Sequence, residues 1–356
     1  MSSISLIKDL CAAFGPSGRE EAVAELIKAE IADMCPDPYT DRMGNVLAIM
    51  RFGDINASDR RRIMISAHMD EVGFMINEVK SNGYLGFGTV GGISDSVIAG
   101  RRVKVLGKKG LIDGVIASKA IHHKSNDERE KATPKEKLYI DIGARDADEA
   151  SEHAFVGCFA TFDSEFYEFG NELVKGKALD DRMGCAAMIE MMRSLKADPI
   201  SENADVCFCF TVREEIGLSG ARAAAYRLRP HVALILETTA IADLPDVAAA
   251  ERVADVGSGV VVSFMDRSTI YPRELIDLAM DISREQEIPA QIKRFVSGGN
   301  DAGSIHQTAE GTKVLTLSVP TRYLHSPACV ASMKDYISQK QLCEALIRRL
   351  AKMEVI

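Results

Sequence analysis

Four short runs constrain this chain more than any other feature: "RIMISAHMD" (62–70), "DVCFCFTVREE" (205–215), "HVALILETT" (231–239) and "KVLTLSVP" (313–320). Each is close to continuously apolar over a few residues and rich in Val, Ile, Leu and Phe. A strand with one face in water alternates, whereas a strand covered on both faces does not. The runs therefore fit a mainly parallel sheet buried between helices. Helical patterns separate several of them, for instance "GARAAAYRL" (220–228) after the second. Residues 18–35 place Val23, Leu26, Ile27, Ile31 and Met34 on one helical face, and Ser17 followed by Glu20 has the form of a capping box. The stretch from Asp335 to Met353 has similar periodicity through Ile337, Leu342, Leu346 and Leu350. The expected fold class is α/β, a mainly parallel sheet covered by helices.

Residues 71–165 depart from that scheme. Glycines come thickly in "SNGYLGFGTVGGISDS" and "LGKKGLIDG", and short alternating runs such as "RRVKVLG" and "LIDGVIAS" replace the helices. This is the pattern of an antiparallel β module. The α/β pattern resumes at "GKALDDRMGCAAMIEMMRSL", so the spacing predicts a small β domain at 71–165 inserted into a discontinuous domain of 1–70 and 166–356. Within it "KSNDEREKATPKEK" (124–137) is highly charged and is expected to be a mobile surface loop.

Composition removes several function classes. The 356 residues carry a formal net charge of −9 and no extended Lys/Arg block, which excludes a binder that relies on neutralising phosphates. No apolar run approaches the roughly 20 residues needed to span a bilayer. The opening "MSSISLIKDLCAAFG" lacks a basic start and a small-residue cleavage site and is expected to be an ordinary helix, so a cytoplasmic location is expected. Eight cysteines without a repeating interval suit reduced, buried packing residues better than a disulfide framework. The close pair Cys207 and Cys209 sits at strand spacing, with no second Cys or His pair to make a metal site.

Polar residues fall in a regular place. The first run ends in His68 and Asp70, the second in Glu214 and Glu215, the third in Glu237, and the fourth is followed by His325. Asp180 and Asp181 open a helix in "GKALDDRMG" (176–184). Ligands bind at the carboxyl ends of strands in open α/β sheets. Singly, each residue has an ordinary explanation: a core histidine, an N-cap aspartate, a solvated Glu-Glu turn. Those explanations do not account for all of them meeting at one sheet edge. Two imidazoles and several carboxylates suit divalent zinc, cobalt or manganese. Their number suits two cations, with one carboxylate bridging them.

At this point the motifs "SAHMDEVGFM", "GKALDDRMG", "VREEIGLSGA", "GGNDAGSIH" and "PTRYLHSP" resemble, in order and spacing, the tetrahedral aminopeptidase family. That family includes glutamyl and deblocking aminopeptidases, and some members carry an endoglucanase label. The resemblance runs along essentially the whole chain. It implies a di-metal peptidase domain and an inserted β-barrel-like domain used in oligomer formation. It further implies dimers assembling into a twelve-subunit tetrahedral shell that admits short unfolded peptides. On the matching positions, His68 and Glu237 would hold one metal, Glu215 and His325 the other, and Asp180 would bridge both. Glu214 would be the general base. Asp70, two residues after His68, would accept the other ring N–H of that imidazole. Asp181 would cap the helix. Three positions depart from the family's pattern: Glu237 where Asp is common, Asn300 for Thr, and Ile93 for Trp. Two other functions remain open on the residues alone: a glycosidase using Glu214 or Glu215, and a non-catalytic scaffold assembled through the β module.

Overall fold

The four apolar runs become the strands Arg61–His68, Ala204–Thr211, Val232–Ala240 and Lys313–Arg322 in a computed structural model that describes residues 2–353. They lie side by side and all parallel, in the order 204–211, 61–68, 232–240, 313–322. Positions 232–239 are buried without interruption. Successive side chains of a strand point to opposite faces, so that run requires cover on both. Helices supply it: Leu179–Ala197 packs on the strands 61–68 and 232–240, Ser219–Leu228 on 204–211 and 61–68, and Met333–Lys352 on 313–322. Antiparallel strands extend the sheet on either side, with Val46–Phe52 beside 204–211, and Cys329–Ser332 beside 313–322 followed by Leu173–Gly176. Among the described residues the sheet has eleven strands, parallel at its centre and mixed at its margins.

The N-terminal helix Ser3–Ala12 is capped by Ser2, whose hydroxyl accepts the Ser5 N–H at 3.3 Å. The second helix, Glu21–Ile31, starts without the expected Ser17–Glu20 capping box. The Ser17 hydroxyl instead donates to Asp70 Oδ2 at 2.5 Å, and the Glu20 carboxylate accepts the N–H groups of Gly18 (2.7 Å) and Arg213 (3.2 Å). The helix begins at Glu21 with Glu20 as its N-cap, so Ser17 lies three residues too early to cap it.

The glycine-rich segment forms a closed antiparallel barrel of six strands, in the order Gly73–Val79, Leu85–Val90, Tyr139–Asp141, Gly110–Ala117, Arg102–Gly107 and Phe159–Phe162. It has its own core, in which Phe74 meets Phe87 and Phe162 edge-on at centroid distances of 5.2 and 5.1 Å. Ile93, one of the departures, is buried in that core. Gly73 marks a close approach of the barrel and the sheet domain: a Cβ there would sit 2.6 Å from Ala160 O and 2.8 Å from Pro16 Cβ. The charged segment 124–137 is exposed, but part of it folds as the short helix Asn126–Glu130, because Ser125 and Glu128 close a capping box.

Candidate metal centre

The parallel strands bring their carboxyl ends to one edge, and the polar residues collect there. His68 is the last residue of its strand and pairs in register with Thr211. Glu237 lies inside the strand 232–240 rather than at its end, because that strand continues along 313–322 to Ala240. His325 follows 313–322 in a left-handed conformation (φ 57°). Asp180 and Asp181 precede the regular part of the helix 179–197, and both have non-helical backbone angles. The peptide bond between them is cis. Asp181 Oδ1 accepts the Gly184 N–H at 3.1 Å, the contact of a helix cap. Only glycine fits at 184, since a Cβ would overlap the Asp181 carboxylate.

Asp180 stands between the two imidazoles. Its Oδ1 is 3.1 Å from His68 Nε2, and its Oδ2 is 3.3 Å from His325 Nε2. Glu237 Oε1 lies 3.7 Å from His68 Nε2, and Glu215 Oε1 lies 3.2 Å from His325 Nε2. The result is two three-residue clusters sharing Asp180: His68, Asp180, Glu237 and Asp180, Glu215, His325. A third grouping joins His68 to Glu214 and Glu215. Both rings are oriented from behind. His68 Nδ1 is 3.0 Å from the main-chain carbonyl of Asp70, and His325 Nδ1 is 2.7 Å from the carbonyl of Gly92, in the barrel. Each ring thereby turns Nε2 towards the carboxylates.

Asp70 has a different place from the expected one. Its carboxylate is 3.5 Å from His68 Nδ1, a long contact. It accepts the backbone N–H groups of Glu214 and Glu215, both at 3.1 Å, together with the Ser17 hydroxyl. Asp70 thus fixes the turn that presents both glutamates.

The electrostatics are those of too many acids in one buried place. Burial and neighbouring acids push Glu214 and Glu237 well above the usual carboxylate range, and burial raises Glu215 as well. Burial also dominates at Asp181, reinforced by Asp180. Asp180 moves the other way: burial would raise it, but hydrogen bonds from His325 and His68 hold it below its ordinary value. At His68, burial favours the neutral ring, yet Asp180, Asp70 and Glu237 outweigh it and raise the ring well above its ordinary value. His325 is raised to about 12 by Asp180 and Glu215, against the effect of its burial. Without a cation the imidazoles must supply the positive charge. Nitrogen and carboxylate donors of this kind fit zinc, cobalt or manganese, and dications would offset the excess negative charge.

Three buried features carried no role at the sequence level. Asp301, in "GGNDAGSIH", accepts the Thr211 hydroxyl at 2.7 Å and leaves Oδ1 without a hydrogen-bond partner. Glu71 accepts Lys177 Nζ at 2.6 Å and the Thr161 hydroxyl at 2.8 Å. Arg182 approaches Glu71 at 3.6 Å and donates to the carbonyls of Met69 and Leu10. Glu71, Lys177 and Arg182 each sit within or beside a quoted motif, and that adjacency was the available signal. Of the remaining residues, Asn300 accepts the Ala302 N–H at 2.9 Å, starting the short helix 302–305. Cys207 and Cys209 are unpaired and buried. No helix among the described residues is long and apolar enough to cross a membrane. A cavity of about 540 Å³ is lined by Asp180, Glu214, Glu215 and Glu237 together with Thr238, Lys293, Asn300 and Leu324.

Comparison with known proteins agrees with this architecture. The family model described as M42 glutamyl aminopeptidase matches residues 44–342. The TET aminopeptidase of the marine sediment archaeon Thaumarchaeota archaeon SCGC AB-539-E09 is 36% identical, with 98% of this chain and 96% of that one covered and a TM-score of 0.92. The TET1 peptidase of Pyrococcus horikoshii, which can assemble into a tetrahedron or a large octahedral shell, is 35% identical, with 97% and 99% covered and a TM-score of 0.86. The lysyl aminopeptidase of Pyrococcus furiosus is 28% identical, with 98% of each chain covered. With the strand edge, the barrel and the shared aspartate in place, the match over 44–342 makes this chain a member of the M42 family of metal-dependent aminopeptidases.

Proposed function

We propose that this chain removes the N-terminal residue from short peptides with the help of two divalent cations, zinc or cobalt, with manganese a further candidate. His68, Glu237 and Asp180 would hold one ion, and Glu215, His325 and Asp180 the other. The observation that carries this reading is that Asp180 offers one oxygen to each imidazole, at 3.1 and 3.3 Å. Two such ions supply Lewis-acid polarisation of the scissile carbonyl and a lowered water pKa. The protein residues do the rest. Glu214 faces the same cavity, and its carboxylate accepts the proton of the attacking water and returns it to the leaving amine. Asp70 keeps Glu214 in place through the backbone of 214 and 215. The acidic floor of the cavity suits a protonated α-amine, which favours cleavage at the chain end.

The family description names a glutamyl substrate and the Pyrococcus furiosus relative a lysyl one, so membership leaves the preferred side chain open. The TET1 assemblies of Pyrococcus horikoshii support a homo-oligomer here, built from dimers through the 71–165 module into a twelve-subunit shell.

The test is chelation and restoration. Protein stripped of metal is expected to lose at least 100-fold in turnover of aminoacyl-anilides and to regain it with zinc, cobalt or manganese at about two equivalents per chain. Anilide turnover that survives stripping would overturn the metal-dependent reading, and metal-independent cleavage of a glycoside with no anilide turnover would favour a two-carboxylate glycosidase.

A further inference from the structure

The segment 241–259 joins the strand Val232–Ala240 to the short strand Val260–Val262, and its Ile241, Ala242 and Val253 form an apolar part of the cavity wall. Apart from one turn of 3-10 helix at Ala249–Glu251 it has no regular structure of its own, so contacts from outside must set its place. Two carboxylates fasten it, one near each end. Asp243 accepts Nε and Nη2 of Arg322, at 2.7 and 2.6 Å, a two-pronged pair from the end of the strand 313–322. Gly257 and Gly259 donate their N–H groups to Asp335, at 2.6 and 2.7 Å. Both glycines have positive φ, 81° and 96°, a conformation that brings N–H groups two residues apart onto one acceptor. Asp335 lies in the first turn of the helix Met333–Lys352 and is fully buried. Burial lifts it to about 6 against the pull of the two N–H groups, so the charge is held there at a cost. Between the two ends, the Val253 carbonyl accepts the Arg294 N–H at 3.0 Å.

Resting on the proposed aminopeptidase reading, we infer that Asp243 and Asp335 are positioning residues that clasp the segment 241–259 as a wall of the substrate cavity, and that the clasped form is the one that binds peptide. Neither carboxylate lines the cavity, and Arg322 does not either, so all three reach the substrate only through the wall. With a clasp broken, the wall is closed in a smaller fraction of molecules, and apparent affinity falls by that fraction. Once substrate is bound the wall is closed and the metal centre is unaltered, so turnover at saturation is kept. An amide in place of Asp335 retains one acceptor but sets its NH2 against the second glycine N–H. An amide in place of Asp243 likewise loses one of the two bonds to Arg322.

The experiment measures kcat and KM separately for Leu-anilide with the metal-loaded parent protein, Asp335→Asn and Asp243→Asn, together with hydrogen–deuterium exchange of residues 241–253. KM is expected to rise about 10-fold in each variant with kcat within about twofold of the parent, the pattern of a wall closed in about a tenth of the molecules. Exchange at 241–253 is expected to be about 10-fold faster, with the strand 61–68 unchanged. A KM equal to the parent's in both variants overturns the inference, whatever happens to the melting temperature. A fall in kcat at unchanged KM also overturns it, since that places the effect at the metal centre. If Asp335→Asn does not fold, Asp243→Asn, at a partly exposed residue, carries the same comparison. Exchange needs no turnover: faster exchange at 241–253 supports the clasp even in a protein that cleaves no anilide, a result that would count against the aminopeptidase reading alone. Exchange unchanged in both variants overturns it.

Discussion

Asp180 has an imidazole on each oxygen and an acid as its sequence neighbour, and its role follows from where its charge is compensated. If it bridges two cations, Asp180→Ala removes a ligand from both sites at once. Elemental analysis is expected to show a loss of at least one of two metal equivalents, with kcat/KM down by about 1000-fold or more. Full metal content in that variant would refute bridging. Glu214→Gln separates binding from chemistry. It is expected to keep its metal and lose 10²- to 10⁴-fold in kcat, the range for a positioned acid–base group. Parent-level turnover would end the general-base assignment. His68, Glu214, Glu215, Glu237 and His325 were legible in the sequence because each lies in, ends or follows an apolar run, and parallel strands bring such ends together, whereas Asp180 showed itself by opening a helix. Asp301 was not legible. Its interest lies in being buried with an oxygen that has no partner, and no spacing rule reveals a missing partner. Asp70 was half legible: proximity to His68 was foreseen, but its carbonyl faces the ring while its carboxylate holds the next strand's turn.

Between elements, the junction of barrel and sheet runs through Glu71. It ties the Phe159–Phe162 strand, by way of Thr161, to Lys177 and Arg182 on the segment carrying Asp180 and Asp181. All four side chains are buried. Removing one partner of a buried pair costs about 3–5 kcal/mol, because it strands the other charge. Glu71→Ala is therefore expected to lower the melting temperature by many degrees. The double variant Glu71→Ala/Lys177→Met is expected to melt higher than the single one, since Arg182 keeps its carbonyl acceptors and no ammonium is left stranded. A double variant melting below the single would show that the junction is held by packing and not by charge. Sequence periodicity located the strands and helices here because both depend on short-range patterns. It could not locate this junction, which joins Glu71 to Lys177, 106 positions away. The Ser17–Glu20 box failed because the helix begins later, at Glu21, and leaves Ser17 to a carboxylate distant in sequence.

For the whole molecule, the barrel does two things. Inward, the carbonyl of Gly92 orients His325, so the grouping of Asp180, Glu215 and His325 borrows its geometry from the insertion. The break in the α/β pattern made the insertion visible, but glycine and alternation say nothing about what its loops touch. Outward, the barrel unit leaves Leu111, Val115, Phe155 and Val156 exposed, side chains that a solvated surface module has no use for. If dimers form there, as the proposed shell requires, charge on that face must oppose assembly, since apolar burial drives it and an unpaired carboxylate at an interface is costly. The test is Phe155→Asp/Val156→Asp, at two residues that belong neither to the acid–histidine groupings nor to the barrel's buried core. Light scattering is expected to give about twelve chains for the parent protein and a much smaller species for this variant. Because Gly92 sits on another edge of the barrel, the dissociated form should still bind metal, which elemental analysis checks directly. A variant that remains twelve-membered would move the contact elsewhere, and a parent protein that runs as a single chain would remove the shell altogether.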